Sequence, residues 1–586
     1  MRYLWQIDSE FARAEKNSAP PLMGDTVQAL FWNAVELRKN DVWLRQKELG
    51  IWRAWTWHET GEIVKEIAMG LNALGMQVQD RVSILSNTRV EWMWTDLAVL
   101  SLCGTSAGIY PTDSVSQVQY ILNDSQSRFL FVEDEEQLDK VLEVLPELPD
   151  LIKIIVFDDK GLRHFEHPQV LSLEALRQLG AKALNLDPHR LESIRDAESP
   201  EHLAILVYTS GTTGKPKGAM HHQAGLVYAI RGHTQIIAQT PQDERMCFLP
   251  LCHIAERNFV EFASTAAGGT IHFVESLDTF QRDLVQARPS HFLAVPRIWA
   301  KFQEGILHKI GGQKKLSLLL SIPLVRRFIQ KKIQRGLGLD QTCMVITGAA
   351  PMTQELTAWF QTIGLFIQEA YGMTENLGLN SLMPREKIKL GTVGRIHDQC
   401  TTRIDPETGE IQMKAHYNCL GYYKNPEQTA ALFDGPWLKT GDMGQLDFDN
   451  YLSIVGRVKD NFKTAKGQYV SPAPIENALS LHTYVEVSCV VGVNLPQPLG
   501  LIILSPTALD VNKADLITEL NKHLQATNPQ FKKYEYLKKL IIMREPWTVE
   551  NACLTPTLKI RRMEIERLVE SRIESWYESK ETIIFE

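Results

Sequence analysis

An eleven-residue run of hydroxyl, glycine and lysine residues is the segment of this chain best suited to bind phosphate. Residues 208–218 read YTSGTTGKPKG and follow the apolar stretch 203–207. Glycines let backbone amides approach an anion closely, hydroxyls donate hydrogen bonds and lysines add positive charge. The composition indicates a loop that binds nucleotide phosphates. The alternative is a flexible turn between a strand and a helix.

The run differs from the phosphate loop of phosphoryl-transfer ATPases. That loop, GxxxxGK[ST], requires glycine where Thr209 stands and a hydroxyl residue where Pro216 follows Lys215. Nucleotide-dependent chemistry therefore remains the prediction, but transfer of the γ-phosphate is disfavoured.

Seven further motifs follow in order along the chain. They are LPLCHIAER at 249–257, TGAAP at 347–351, YGMTE at 371–375, GYYKNPEQT at 421–429, LKTGD at 438–442, GRVKDNFKTAKGQYVSPAPIE at 456–476 and LTPTLKIRR at 554–562. With these motifs in register, the chain resembles the adenylate-forming (AMP-binding) superfamily, and within it the long-chain and very-long-chain fatty acid–CoA ligases. The resemblance implies that a fatty acid attacks the α-phosphate of ATP, giving acyl-adenylate and pyrophosphate, and that the thiol of coenzyme A then displaces AMP.

The resemblance also assigns residues to the nucleotide. ATP and AMP would be bound by residues of five motifs: Thr209, Ser210, Gly211, Thr212, Thr213, Gly214, Gly348, Ala349, Ala350, Tyr371, Gly372, Met373, Thr374, Asp442 and Arg457. Tyr371 would lie beside the purine and Asp442 would accept hydrogen bonds from the ribose. The alternatives are a tyrosine packed in a core and an aspartate in a turn.

Cations and a metal would assist the first step. Lys559 and Lys215 would stabilise the charge that develops as carboxylate and α-phosphate meet, and Leu558 before Lys559 is typical of the long-chain ligases. His253 matches the position beside the acyl carboxylate, although a lone histidine is as often structural. Thr209 and Glu375 would bind Mg²⁺, which prefers oxygen ligands together with substrate phosphates.

Three further positions concern movement, the second substrate and the acyl tunnel. Lys459 matches the hinge about which a small C-terminal domain turns between half-reactions. Lys466 and Gly467 lie in the segment that would line the coenzyme A channel. Arg257 stands where some fatty-acyl relatives carry an aromatic gate, so the gating of the tunnel is not predicted.

Composition narrows the class of protein. The net charge of −8 argues against a nucleic-acid partner, and the eight scattered cysteines are typical of reduced thiols in a cytoplasmic enzyme. The N-terminal residues have no apolar core of signal-peptide length, and a run of about 18 apolar residues occurs nowhere. We therefore expect neither export by that route nor a membrane span.

Alternating strand-like and helix-like segments must position these motifs. Strands are predicted at 81–86, 128–132, 152–157, 203–207, 270–274, 344–347, 410–413 and 488–493, and helices at 60–74, at 91–102 and from Pro472. The alternation indicates an α/β fold with layered, parallel-rich sheets in a large multi-lobed N-terminal domain, residues 1–457. Residues 458–586 would form a small mobile C-terminal α/β domain.

Residues 305–339 contain eight basic residues and no acidic one, around the apolar run 316–325. Such a segment can rest on an anionic membrane surface as a peripheral contact. A helical hairpin that packs its leucines on the body is the alternative.

The sequence favours a long-chain fatty acid–CoA ligase that uses ATP, Mg²⁺ and coenzyme A. An acyl-AMP ligase or acyl-carrier-protein synthetase would share the first half-reaction. A non-catalytic lipid-binding relative is the alternative of another class, and Glu375, Asp442 and Lys559 argue against it.

Overall fold

A computed structural model describes residues 24–209, 215–237, 239–509, 511–549, 551–555 and 559–586. Its strands are β1 Val42–Glu48, β2 Ile51–Thr56, β3 Arg81–Leu85, β4 Thr105–Ile109, β5 Ser127–Val132, β6 Lys153–Val156, β7 Val170–Ser172, β8 Leu203–Thr209, β9 Lys217–His222, β10 Glu244–Cys247, β11 Thr270–Phe273, β12 His291–Ala294, β13 Met344–Thr347, β14 Gln368–Tyr371, β15 Ser381–Leu382, β16 Arg395–Ile396, β17 Thr401–Ile404, β18 Glu410–Lys414, β19 Phe433–Asp434, β20 Trp437–Leu446, β21 Leu452–Arg457, β22 Phe462–Lys463, β23 Tyr469–Val470, β24 Val485–Val491, β25 Leu499–Leu504, β26 Leu540–Ile542 and β27 Ile583–Phe585.

The α-helices are α1 Val27–Arg38, α2 Trp57–Ala73, α3 Val90–Ser101, α4 Val115–Ser125, α5 Glu135–Val144, α6 Leu173–Leu186, α7 Arg190–Arg195, α8 Gln223–Ile236, α9 Ile254–Glu256, α10 Ala263–Ala267, α11 Phe280–Ala287, α12 Pro296–Ile310, α13 Gln313–Ser321, α14 Pro323–Leu337, α15 Gln354–Thr362, α16 Pro426–Leu432, α17 Pro472–Leu479, α18 Pro506–Leu509, α19 Lys513–Thr527 and α20 Arg562–Glu578. A π-helix, Arg257–Phe262, follows α9. The 3-10 turns are Leu145–Glu147, Thr374–Asn376 and Asn528–Gln530.

A seven-stranded sheet positions the phosphate-loop motif. Its order is β7-β6-β5-β3-β4-β8-β9, and every neighbouring pair is parallel except β8 with β9. The four strands predicted between residues 81 and 207 are confirmed here. Because β8 and β9 are antiparallel and flank the loop, Thr209 at the end of β8 pairs with Lys217 at the start of β9.

A nine-stranded sheet positions two more motifs. Its order is β16-β15-β14-β13-β12-β10-β11-β1-β2, with parallel pairs from β14 through to β1. The predicted strands at 270–274 and 344–347 are confirmed. TGAAP and YGMTE begin at the carboxyl ends of the neighbouring strands β13 and β14, which is the edge where parallel sheets bind ligands.

The remaining sheets are antiparallel or mixed. The five-stranded sheet of β17, β18, β19, β20 and β21 brings Asp442 on β20 opposite Arg457 on β21. After Arg457 the chain forms the hairpin β22–β23 and the four-stranded sheet β24-β25-β26-β27, with apolar clusters of their own. The predicted layered α/β fold is confirmed, whereas the domain boundary at 457/458 and the hinge at Lys459 stay predictions.

The basic segment 305–339 contains the end of α12, then α13 and α14. Leu316 and Leu337 are buried, but Leu318, Leu324 and Phe328 are 66%, 94% and 65% exposed. Part of the apolar run therefore packs on the body and part projects outward. Among the helices of the described chain, none combines the length and the hydrophobicity that a bilayer crossing requires.

Candidate active site

One cavity of about 2940 Å³ brings most of the sequence-predicted site residues together. The predicted residues in its lining are Thr209, His253, Gly348, Ala349, Ala350, Tyr371, Gly372, Met373, Thr374, Glu375, Asp442, Arg457, Lys459 and Lys559. Ser210, Gly211, Thr212, Thr213 and Gly214 lie outside the described residues. The cavity therefore collects residues from seven motifs that are far apart in the sequence.

Asp442 is fixed between two donors. The Tyr371 hydroxyl donates to its Oδ2 at 2.7 Å, and Nε of Arg457 donates to its Oδ1 at 3.1 Å. Burial, and then the charge of Asp442, raises the pKa of Tyr371, so this phenol remains a donor. A carboxylate oriented in this way can still accept hydrogen bonds from a diol, since each oxygen has a second lone pair.

The backbone of Gly348 and Ala349 lies close to the strand that ends at Tyr371. A Cβ added at Gly348 would lie 3.1 Å from the carbonyl oxygen of Ala370, and Ala349 has a left-handed φ of +64°. The small residues after β13 therefore let the backbone lie directly against β14. Gly348, Ala349 and Tyr371 all line the cavity, and the binding of a purine beside them stays a prediction.

Glu375 is a buried carboxylate with a specific partner. The Tyr422 hydroxyl donates to its Oε1 at 2.6 Å, and 6% of the residue is exposed. Nζ of Lys217 lies 5.1 Å from the centroid of the Tyr422 ring and donates to Oε1 of Gln428 at 2.7 Å. Burial, and then Lys459, lowers the pKa of Lys217.

Sequence reasoning missed Lys217, Tyr422 and Gln428, which all line the cavity. The strand pairing carries a usable signal for Lys217. Lys217 begins β9 opposite Thr209 at the end of β8, and side chains of directly paired residues point to the same face of a sheet. The motif GYYKNPEQT was matched without any role for its side chains. Its Tyr422 and Gln428 are the two that reach the site.

The donor set at Glu375 fits a magnesium ion that arrives with a nucleotide. Among the described residues, no group of three or more histidine, cysteine, aspartate or glutamate side chains is arranged to bind a metal. Glu375 and Thr209 instead supply a carboxylate and a hydroxyl in the same lining. Mg²⁺ commonly takes one or two protein oxygens and completes its shell with phosphates and water.

Lys559 lines the cavity next to an isolated antiparallel β-bridge between Leu554 and Ile560. Its backbone pairs with Thr555, through the Lys559 N–H to Oγ1 at 3.1 Å and the Thr555 N–H to the Lys559 carbonyl at 2.8 Å. The lysine is exposed and forms part of the cavity wall. Surrounding protein and the nearby Arg457 lower its pKa, and Asp442 and Glu375 oppose that shift.

His253 lies at the start of α9 and faces the same space. Its Nδ1 accepts a hydrogen bond from the Ala255 N–H at 3.2 Å, so the ring proton of the neutral form is on Nε2. Burial, and then the charge of Lys559, lowers the pKa of His253 to about 4. At neutral pH the ring is a neutral donor close to a cation, which suits a substrate carboxylate.

Three predicted residues lie away from the cavity lining. Nζ of Lys215 is 4.9 Å from the ring centroid of Tyr120, and the lysine is exposed. Lys466 and Gly467 form the turn between β22 and β23, where Gly467 has a φ of +75°. Their catalytic and coenzyme A roles stay predictions.

Arg257, at the position of the aromatic gate, is turned away from the cavity. It is 1% exposed, with Nη2 2.6 Å from Oδ2 of Asp96 and Nε 3.1 Å from Oε2 of Glu261. The rings of Trp92 and Phe262 lie 5.0 and 5.1 Å from its guanidinium carbon. The side chain is therefore part of a buried charge cluster and does not gate the cavity in this conformation.

Comparison with curated proteins finds similar chains over most of the length. A long-chain-fatty-acid–CoA ligase named FadD15 from Mycobacterium bovis is 29% identical over 573 residues, covering 90% of this chain and 93% of the relative. A long-chain-fatty-acid–CoA ligase named ACSBG2 from Xenopus laevis is 25% identical over 656 residues, covering 99% and 88%.

Comparison with solved structures agrees on the fold. The adenylation domain of a carboxylate reductase from Mycobacterium chelonae superposes with a TM-score of 0.77 at 22% identity and covers 98% of each chain. The sequence patterns of two families match this chain. The pattern described as AMP-binding enzyme covers residues 31–423, and that of the AMP-binding enzyme C-terminal domain covers residues 459–581. The chain therefore belongs to the AMP-binding enzyme family.

Proposed function

We propose that this enzyme activates a long-chain fatty acid with ATP and transfers the acyl group to coenzyme A. The relatives named as long-chain-fatty-acid–CoA ligases support the substrate class. The observation that carries the proposal is the position of Lys559, which shares one cavity with His253, Asp442 and Glu375. The charges of Asp442 and Glu375 raise the pKa of Lys559, and the charge of Lys559 lowers the pKa of His253.

In the first half-reaction a carboxylate oxygen of the acid attacks the α-phosphorus of ATP. The bond from that phosphorus to the bridging oxygen breaks, and pyrophosphate leaves with the electron pair. Asp442 orients the ribose, and Tyr371 with Gly348 encloses the adenine. Lys559 stabilises the negative charge shared by the carboxylate and the α-phosphate, while Nε2 of His253 donates to the carboxylate.

Thr209 and Glu375 would bind Mg²⁺ with the phosphates, and the ion when bound neutralises charge on the leaving pyrophosphate. Tyr422 orients Glu375 for this contact. Lys217, whose Nζ lies against the Tyr422 ring, supplies a further cation on the same side of the cavity, and Lys215 belongs to the same run, 208–218. We propose these residues as the pyrophosphate end of the site.

In the second half-reaction the sulfur of coenzyme A attacks the acyl carbonyl carbon, and AMP leaves with the electrons of the acyl–phosphate bond. We propose that residues 458–586 turn about Lys459 between the two steps. That movement would bring Lys466 and Gly467 from their outer position to the cavity mouth, where Gly467 leaves space for a thiol arm.

We further propose a peripheral contact between a cytoplasmic membrane face and the hairpin α13–α14. The outward side chains Leu318, Leu324 and Phe328 lie among basic residues of the same helices. Arg327 and Lys331 are exposed, so their charge can meet anionic lipid.

A ligation screen over acids from acetate to very long chains, with benzoates included, tests the proposal. We expect acyl-CoA, AMP and pyrophosphate, with the highest kcat/KM on long chains. A preference for short or aryl acids would refute the fatty-acyl assignment. Pyrophosphate exchange without acyl-CoA would indicate a carrier-protein acceptor, and no exchange with any acid would indicate a non-catalytic protein.

A further inference from the structure

Part of the cavity wall carries polar side chains close to Phe259 of the π-helix, and we call this part of the wall the lobe. His233 near the end of α8, His397 after β16 and Asn380 before β15 all line it. They are 5%, 8% and 0% exposed. A tunnel for a plain hydrocarbon chain would be expected to carry apolar residues at such depth, because a buried polar group without a partner is unfavourable.

Each of these three side chains has a buried polar atom that lacks a hydrogen-bond partner among the described residues. The atoms are Nδ1 of His233, Nε2 of His397 and Nδ2 of Asn380. The other side-chain polar atoms of His397 and Asn380 are hydrogen-bonded. Nδ1 of His397 accepts from the Gln399 N–H at 3.0 Å, and Oδ1 of Asn380 accepts from the Thr402 hydroxyl at 2.8 Å.

These bonds fix which atoms can donate. Because Nδ1 of His397 accepts, its Nε2 carries the proton, and Nδ2 of Asn380 is a donor by its chemistry. The carbonyl of Gly232 lies near the His397 ring and opposes the lowering of its pKa by burial, but it does not form a hydrogen bond of normal geometry. The His397 backbone N–H binds the Asn380 carbonyl at 2.9 Å, which keeps the two residues adjacent.

His233 completes the group from the opposite wall. Burial lowers its pKa to about 3, with further contributions from Arg245, His291 and His397. The ring is therefore neutral at physiological pH and can either donate or accept at Nδ1. Its centroid lies 6.0 Å from that of Phe259, a residue of the π-helix that also lines the lobe.

The lobe and His253 belong to the same cavity. His253 begins the helical segment, and Ile254, Asn258 and Phe259 of the same segment line the path toward His233. Phe259 lies six residues after His253, a helical rise of roughly 9 Å, and we infer a similar depth for the polar group beyond the carboxylate position. An extended carbon chain reaches that depth after about six to eight carbons, given its bond length.

We propose that the preferred acid carries an oxygen, as a hydroxyl or oxo group, near the middle of its chain. This oxygen would accept hydrogen bonds from Asn380 and His397, and a hydroxyl would also donate to His233. The inference rests on the proposed function, since it names the substrate class of the same site. The side of the cavity lined by Phe248 and Phe280 is apolar and suits the methylene groups.

Such a site discriminates between acids by the number of its own polar atoms that the bound acid leaves without a hydrogen bond. An unsubstituted chain in this lobe would cover three polar atoms without binding them, whereas an oxygenated chain of equal length would bind at least two. One neutral hydrogen bond changes affinity about 3- to 10-fold. We therefore expect a preference of about tenfold or more in kcat/KM for the oxygenated acid.

The test compares hexadecanoic acid with isomers that carry a hydroxyl or oxo group near the middle of the chain, and with the terminally hydroxylated acid as positional control. Wild type should favour the mid-chain isomers. His233→Leu and His397→Leu should each reduce that preference by at least about threefold, and His233→Asn should retain part of it. Thr234→Val, on the next residue of α8, should leave it unchanged.

Thermal unfolding of each variant separates loss of folding from loss of selectivity. Equal or higher kcat/KM on the unsubstituted acid in wild type would overturn the inference, because water or an empty lobe would then account for the polar atoms. That result would leave the proposed function intact. Absence of acyl-CoA from every acid would instead refute the proposed function.

Discussion

The Tyr422 hydroxyl donates a 2.6 Å hydrogen bond to the Glu375 carboxylate, and thereby fixes the orientation of the glutamate that we assign to Mg²⁺. Tyr422→Phe removes this bond and leaves the ring under Lys217. Hydrogen bonds to charged groups contribute about 1.5–3 kcal/mol, so we expect the Mg²⁺ concentration for half-maximal pyrophosphate exchange to rise about tenfold or more.

The matched control is Tyr423→Phe, whose hydroxyl contacts only Oε1 of Gln126 at 3.4 Å among the described residues. It should leave the Mg²⁺ dependence unchanged. Direct titration of Mg²⁺ in the presence of ATP gives a readout that does not need turnover. An unchanged Mg²⁺ midpoint in Tyr422→Phe would show that Glu375 needs no such orientation.

Lys559→Ala should lose adenylation while largely keeping thiolysis of supplied acyl-adenylate, because only the first step brings two anions together. The lowered pKa of Lys559 adds a pH test. Wild-type adenylation should fall at a pH below the pKa of an ordinary lysine. Lys559→Arg should shift this alkaline limit to higher pH. Near-normal pyrophosphate exchange by Lys559→Ala would refute the assignment.

Arg257→Met should destabilise the protein without changing the preference among acids. It leaves Asp96 and Glu261 buried without their cation, a change that typically costs about 3–5 kcal/mol in unfolding free energy. Denaturant unfolding measures this loss. Arg567→Met, which removes an exposed pairing with Glu564 of 3.2 Å, is the control and should change stability by about 1 kcal/mol or less. An altered chain-length preference at unchanged stability would instead assign gating to Arg257.

Glu256 should make the stability of the wild type fall as pH rises. Burial raises the pKa of Glu256 from 4.5 to about 8, although the Phe248 and Leu249 N–H groups oppose that shift. Between these values the unfolded chain loses a proton that the folded chain keeps, so stability declines by up to about 1.4 kcal/mol per pH unit. The unfolding free energy of Glu256→Gln should lack this component of its dependence on pH. Glu143 is exposed, and Glu143→Gln should retain the component. Parallel slopes in wild type and Glu256→Gln would contradict the prediction.

Neutralising Arg326, Arg327, Lys331 and Lys332 should reduce co-sedimentation with anionic liposomes. Each basic group near such a surface contributes about 1 kcal/mol, so the loss should be large and should be mimicked by high salt. Neutralising four exposed lysines of the small domain, Lys522, Lys532, Lys533 and Lys580, provides a control of equal charge. Equal binding by both variants would exclude the hairpin as the contact.

The sequence was sufficient for eight of the strands and for fourteen residues of the cavity lining, because motif order and hydrophobic alternation are local properties. The strands at 81–86 and 344–347 and the helix at 60–74 agree with β3, β13 and α2 within a few residues. Asp442 and Arg457 could be assigned by motif, but their pairing required the register of β20 with β21.

Other features depend on which way a side chain points, and local sequence does not specify that. Arg257 matched a gate position, yet its partners Asp96 and Glu261 come from α3 and the π-helix and turn it inward. His233, Asn380 and His397 are far apart in the chain, and no spacing rule connects them. Tyr422 was inside a recognised motif, but its contact with Glu375 joins residues 47 positions apart.

The outward leucines of the hairpin α13–α14 bear on how turnover would depend on lipid. An enzyme resting on a bilayer through Leu318 and Leu324 would meet its acid by lateral diffusion. The relevant substrate concentration would then be the mole fraction of fatty acid in the lipid, and adding inert lipid at constant fatty acid would slow the reaction by surface dilution.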